Sequence, residues 1–197
     1  MSDRTHHRPM TPGAGFFAEI AGGADPAMLR EAGDLAATVL VRGARSSDDP
    51  ALAERIVHLA ETEGLETLAE VWSGAPADTL AGSLWRLFLL RSWVHADPER
   101  VAKEYDAGQR RVDVARVVAG VADPPGPEEL RSMVDEVLRG IAGGDFAVTL
   151  FRAAAFARIV AAGRAALGSP HDEITRMLVL SEQLEAAGQG EMRDALG

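Results

Sequence analysis

Two glutamates and two arginines recur in this chain at one spacing. Glu70 precedes Arg86 by 16 positions, and Glu136 precedes Arg152 by the same 16. An arginine inside an apolar helix must reach water or meet an acid, because an isolated buried charge is heavily penalised. Two chemistries follow. Each Glu/Arg pair can close an ion pair across a helical hairpin and fix its register. If such a pair is buried, loss of one partner would cost about 3–5 kcal/mol. Alternatively, Arg86 and Arg152 can offer two planar guanidinium forks to a carboxylate or phosphate, with Trp85 and Trp93 as aromatic surface beside them. The first reading is preferred, because charge pairs that organise helices outnumber ligand sites. Glu70–Arg86 and Glu136–Arg152 are therefore predicted structural ion pairs. Arg86, Arg152, Trp85 and Trp93 are the candidate ligand-binding residues.

A second constellation has metal-ligand spacing. Glu54, His58 and Glu61 stand at i, i+4 and i+7 on one helical face, which could present a carboxylate–imidazole–carboxylate set. No second histidine accompanies it on a neighbouring segment, and the Glu-x-x-His pairs of di-iron bundles are absent. A solvated acidic face is the preferred reading, and no metal site is predicted. Among the other histidines, His6 and His7 fall in a polar tail. His95 closes an apolar helix, and His171 falls in a first turn. None has a nucleophile in sequence reach. There is no serine elbow, phosphate loop, dinucleotide fingerprint or zinc-hydrolase helix. No catalytic residue and no cofactor is predicted.

Composition narrows the classes further. The 197 residues contain no cysteine, which excludes disulfides, thiolate zinc sites, iron–sulfur clusters and thiol catalysis. The formal net charge is −10, which opposes general affinity for phosphate backbones or anionic membranes. Arg100, Lys103, Arg110, Arg111 and Arg116 cluster locally, but Glu99, Glu104, Asp106 and Asp113 interleave with them. That is a weak footprint for nucleic acid. Residues 48–78 hold eight acids and only Arg55, a second asymmetry. The longest apolar stretch, Phe146–Ala162, is interrupted by Thr149, Arg152 and Arg158. No membrane span is predicted. The first residues lack the apolar region of a signal peptide, so a cytoplasmic location is expected.

The elements that must position these residues are announced by a repeat. Residues 68–94 align without a gap on residues 134–160, an offset of 66. Glu70/Glu136, Val71/Val137, Gly74/Gly140, Ala81/Ala147, Leu84/Leu150, Arg86/Arg152 and Val94/Val160 are identical. The unit is a helical hairpin used twice. Asp-Pro at 25–26, 49–50, 97–98 and 123–124 and Ser-Pro at 169–170 read as helix starts. The acceptor side chain satisfies an orphan N–H, and proline presets φ. Helices are predicted over about 26–44, 50–62, 65–73, 78–95, 98–107, 110–121, 128–142, 145–166 and 171–187. The last ten residues are expected to fray. Helices 78–95 and 145–166 are apolar on nearly every side and should be buried all round.

The sequence thus predicts an all-α fold of about eight or nine helices around a duplicated hairpin, with two buried central helices related by an approximate two-fold. Residues 1–24 form a mobile tail, pinned by Phe16, Phe17 and Ile20. Residues 25–190 form one domain, with repeats over about 50–108 and 128–187 and a hinge near 122–127. The functional expectation is a non-enzymatic interaction protein, an adapter or a homo-oligomer, whose partner is a protein or a second copy. The alternative is a small-ligand sensor with its pocket between the two central helices. An uncovered apolar stripe would favour association. A closed cavity lined by Arg86, Arg152 and tryptophan would favour a ligand.

Overall fold

The computed structural model describes residues 26–43, 65–111, 126–138 and 146–194. These residues form α1 (Pro26–Arg42), α2 (Leu65–Trp72), α3 (Leu80–Ala96), α4 (Pro98–Gln109), α5 (Pro127–Leu138), α6 (Phe146–Leu167) and α7 (His171–Asp194). No strand occurs among them, and the protein is all-α. The predicted helix over 50–62, nearly all of that over 110–121, the tail 1–24 and most of the hinge lie outside the described residues.

The helix ends follow local chemistry. The α1 helix stops at Gly43, which adopts φ +85° and donates its N–H to Val39 O at 2.9 Å. Only glycine takes that left-handed turn without steric cost. The α3 helix starts two residues later than predicted. Thr79 is its cap and accepts from the Gly82 N–H at 3.1 Å. The α4 helix starts as expected: Asp97 accepts from the Arg100 N–H at 3.0 Å and Pro98 takes the first position. The α7 helix starts one residue after its proline, with Pro170 O accepting from the Ile174 N–H.

The α4 helix ends at Gln109, within two residues of the predicted 107. One expectation about ends is corrected: α7 does not fray after 187 but continues to Asp194. Its last turns are held by tertiary contacts. Leu184 and Ala187 are buried, Gly188 packs closely on the Phe151 ring, and Glu191 forms a two-pronged ion pair with Arg42 of α1. Propensity at a chain end gave no sign of those partners.

The α6 helix lies at the centre. It packs most extensively on α7 and then on α4, with lighter contacts to α5 and α3. Its buried residues fall all round the helix, from Phe146 and Leu150 to Phe156, Val160 and Gly163. On length and composition alone α6 could cross a membrane, yet most of it is buried inside the fold. Its three arginines each meet an acid on a neighbouring helix: Arg152 with Glu129, Arg158 with Glu185 and Arg164 with Glu104. The α3 helix is buried through Leu80, Leu84, Leu87, Leu90 and Val94 and packs on α5, α1, α2 and α7. Trp72 of α2 is fully buried and donates its indole N–H to Gly33 O of α1 at 3.0 Å.

The α4 and α6 helices approach until their backbones touch. A Cβ added to Gly108 would sit 1.8 Å from Ile159 O, and one added to Gly163 would sit 1.7 Å from Glu104 O. Both obstacles are backbone atoms, so no side-chain rotation relieves them. Gly163→Ala or Gly108→Ala should therefore cost at least about 2–3 kcal/mol, the upper part of the overpacking range. That is a loss of roughly 4–12 °C in Tm at this chain length. Gly74→Ala, with nothing within 4 Å of the added atom, should leave Tm unchanged or raise it by up to about 4 °C. Thermal unfolding followed by circular dichroism checks all three.

Candidate functional site

An open groove of about 650 Å³ runs between α3 and α7. One wall is α3, with Trp85, Leu89 and Trp93 on successive turns. The other wall is α7, with Val179, Leu180 and Gln183. The two helices run antiparallel. Gln183 meets Arg86 early in α3, while Glu173 meets Arg100 and Arg164, beside Trp93. Leu89 and Val179 are each 42% exposed, so the groove is a trough and not a closed cavity. Trp85 and Trp93 are half-buried in its wall. Trp85 stacks on Phe88 with ring centroids 5.8 Å apart.

The two ends of the trough differ in charge. At the Trp93 end, Arg164 donates from Nε to Glu104 Oε2 at 2.9 Å and from Nη1 to Glu173 O at 3.0 Å. Its guanidinium carbon lies 4.7 Å from the Trp93 ring centroid, a cation–π arrangement. The other Glu104 oxygen accepts from Arg100 Nε at 2.7 Å, and Arg100 also pairs with Glu173. Hydrogen bonding to Glu104 raises the Arg100 guanidinium above its ordinary value. Arg176, also on this side, pairs with Asp172. Two arginines here share two carboxylates, and the remaining one has its own, so this end is neutralised.

At the Trp85 end, Arg86 donates from Nε to Gln183 Oε1 at 2.7 Å and from Nη1 to Gly82 O at 2.8 Å. Both acceptors are neutral. Burial lowers the Arg86 guanidinium from its ordinary value, opposed by the more distant field of Asp78. Arg86 is thus the groove arginine with no carboxylate in ion-pair contact among the described residues.

The predicted constellation is partly assembled. Arg86, Trp85 and Trp93 share the groove. Arg152 does not belong to it and instead pairs with Glu129 of α5. The Glu70–Arg86 pair is not formed: Glu70 is exposed on α2, while Arg86 turns to Gln183 on α7. The physical reason is that α7 covers this flank of α3 and brings a closer acceptor. The side chain of Glu136 and the set Glu54, His58 and Glu61 lie outside the described residues. Among those described, no cluster of three or more His, Asp or Glu could hold a metal. The pocket lies between α3 and α7, not between the two central helices α3 and α6.

No protein-family model, curated protein or solved structure matches this chain. The groove is therefore read from its own chemistry. Sequence reasoning missed Glu104 and Arg164 as a pair, and it missed Glu173 and Gln183 altogether. One signal was available: Gly163 interrupts an apolar helix beside Arg164, which marks a close backbone neighbour.

Glu104 is the acid on which this end rests, with its side chain 3% exposed against 7% for Arg164. Glu104→Gln leaves a buried arginine without its carboxylate and should cost about 3–5 kcal/mol. Arg176→Gln removes a solvent-facing pair and should cost less than about 1 kcal/mol. Urea unfolding monitored by tryptophan emission distinguishes the two.

Proposed function

We propose that this chain is a non-enzymatic interaction protein that holds an apolar segment of a protein partner in the α3/α7 trough. The observation that carries this reading is the uncovered apolar stripe itself. Trp85, Leu89 and Trp93 face Val179 across an open groove, with large apolar side chains left in solvent. Grooves between helices that expose aromatic and aliphatic side chains are a recurrent seat for a partner helix. Tryptophan beside arginine is the composition of interaction hot spots.

A small-ligand sensor is the second reading. The groove volume lies in the range of small-molecule sites, and Arg86 could take an anionic group. The open rim favours a partner over a ligand, because a protein supplies the missing wall whereas a small molecule would stay half in water. We also propose that the hairpins α2–α3 and α5–α6 descend from one duplicated unit. The seven identities shared at the 66-residue offset support this.

The test is the native mass of the protein gently purified from its own cells, with and without Leu89→Arg. A protein-sized increment is expected for the natural chain and a bare monomer for the variant. Leu89 is on the rim, so the variant should lose no more than about 0.5 kcal/mol of stability. A natural chain that carries only a few hundred daltons overturns the partner reading in favour of a ligand. A protein-sized increment that survives Leu89→Arg moves the interface away from the groove.

A further inference from the structure

The trough is largely apolar, and among the described residues Arg86 is its one arginine without a carboxylate in ion-pair contact, Asp78 acting on it only through its longer-range field. Arg100, Arg164 and Arg176 each have a carboxylate. Arg86 has two neutral oxygens, at 2.7 and 2.8 Å. Those bonds use Nε and Nη1 and fix the guanidinium plane at the mouth of the groove. The other terminal nitrogen makes neither of them. A guanidinium held in that way is preorganised for a carboxylate that arrives from outside, and a charge-assisted bond formed there is stronger than a neutral one.

The apolar part has helical dimensions. Trp85 and Trp93 are separated by two turns of α3, about 12 Å along its axis. A third helix laid in the trough would place side chains at i, i+4 and i+7 over the same length. Two antiparallel helices with side chains standing on either side of a furrow form the seat into which such a helix packs. The apolar anchors then lie over Leu89 and the tryptophans, and the residue beside the first anchor lies at Arg86.

We propose that the occupant is an amphipathic helix of a partner protein that carries an aspartate or glutamate at the Arg86 end of its apolar stripe. This rests on the groove being a binding site at all, as argued above. The partner's acid supplies the ion pair that Arg86 lacks among the described residues, and it sets the direction in which the helix lies. The rest of the surface works against other occupants. The chain carries a net charge of −10, so an acidic helix gains little from general attraction and depends on this one contact. Recognition therefore turns on the position of the acid and not on net charge.

A displayed library of helices of about sixteen residues tests this, with leucine fixed at i, i+4 and i+7 and the flanking positions randomised. It is selected in parallel on the natural protein, on Leu89→Arg and on Arg86→Glu, each confirmed folded by its thermal unfolding curve. The expected result is an acid enriched at one register position on the natural protein, exchanged for lysine or arginine on Arg86→Glu, and no enrichment on Leu89→Arg. A selected peptide should lose roughly tenfold to a hundredfold in affinity when its acid is replaced by glutamine. If Arg86→Glu fails to fold, Arg86→Gln replaces it, and the acid preference should then vanish. Apolar helices enriched on the natural protein with no acid preference, and unchanged on the Arg86 variant, overturn the inference and leave the groove reading intact. No enrichment that Leu89→Arg removes overturns both. A natural protein that dimerises, with the dimer broken by Leu89→Arg, assigns the trough to a second copy and also overturns the inference.

Discussion

Everything at the groove depends on how closely α4 and α6 cross. Gly108 and Gly163 bring the two backbones into direct contact, with each glycine set against a carbonyl of the opposite helix. Any side chain at either position would push the helices apart. At the closest distance, Glu104 and Arg164, which flank the contact, can meet with both side chains almost wholly buried. Arg164 then reaches two ways, to the first turn of α7 and to the face of Trp93 on α3. One close crossing therefore sets the positions of three helices. The trough is the space left when α3 and α7 are both anchored to that point at one end and to the Arg86–Gln183 bond at the other.

Arginine has a second task throughout the fold. Arg42, Arg91, Arg100, Arg152, Arg158 and Arg164 each join one helix to an acid on another. The planar fork suits this work, because it can hold a carboxylate and still donate to a backbone oxygen, as Arg164 does. Among the described residues no buried side-chain nitrogen or oxygen lacks a hydrogen-bond partner. In such a setting the neutral partners of Arg86 are a departure from the pattern set by the other inward-facing arginines.

Helix identity was legible in the sequence, because proline and an acceptor mark starts such as Asp97-Pro98 and because uniform apolarity marks α3 and α6 as central. Three of the four candidate binding residues, Arg86, Trp85 and Trp93, do line one groove. Their common turn spacing on a single helix made that readable. The fourth, Arg152, was linked to Arg86 by sequence identity alone, and identity between repeats does not bring two copies of a residue together. The partner of Arg86 was misread for a related reason. Spacing along the chain identifies neighbours within a hairpin, whereas Gln183 arrives on α7, a helix distant in sequence. Arg152 does meet an acid on the preceding helix of its own hairpin, Glu129. The extent of α7 was illegible because its last turns depend on Phe151 and Arg42, far away in the chain.

The order of elements along the chain has a consequence for synthesis. The most apolar helix, α6, is made before α7, the helix that covers it most. Until α7 emerges from the ribosome, a flank of α6 that would pass for a membrane span faces solvent. At about 5–20 residues per second the wait is on the order of seconds. During it, Arg158 lacks the acid that will later hold it, since Glu185 lies on α7. Glu104 and Glu129, the partners of Arg164 and Arg152, are already present. The nascent chain thus neutralises two of the three charges in its most apolar helix before the covering helix exists.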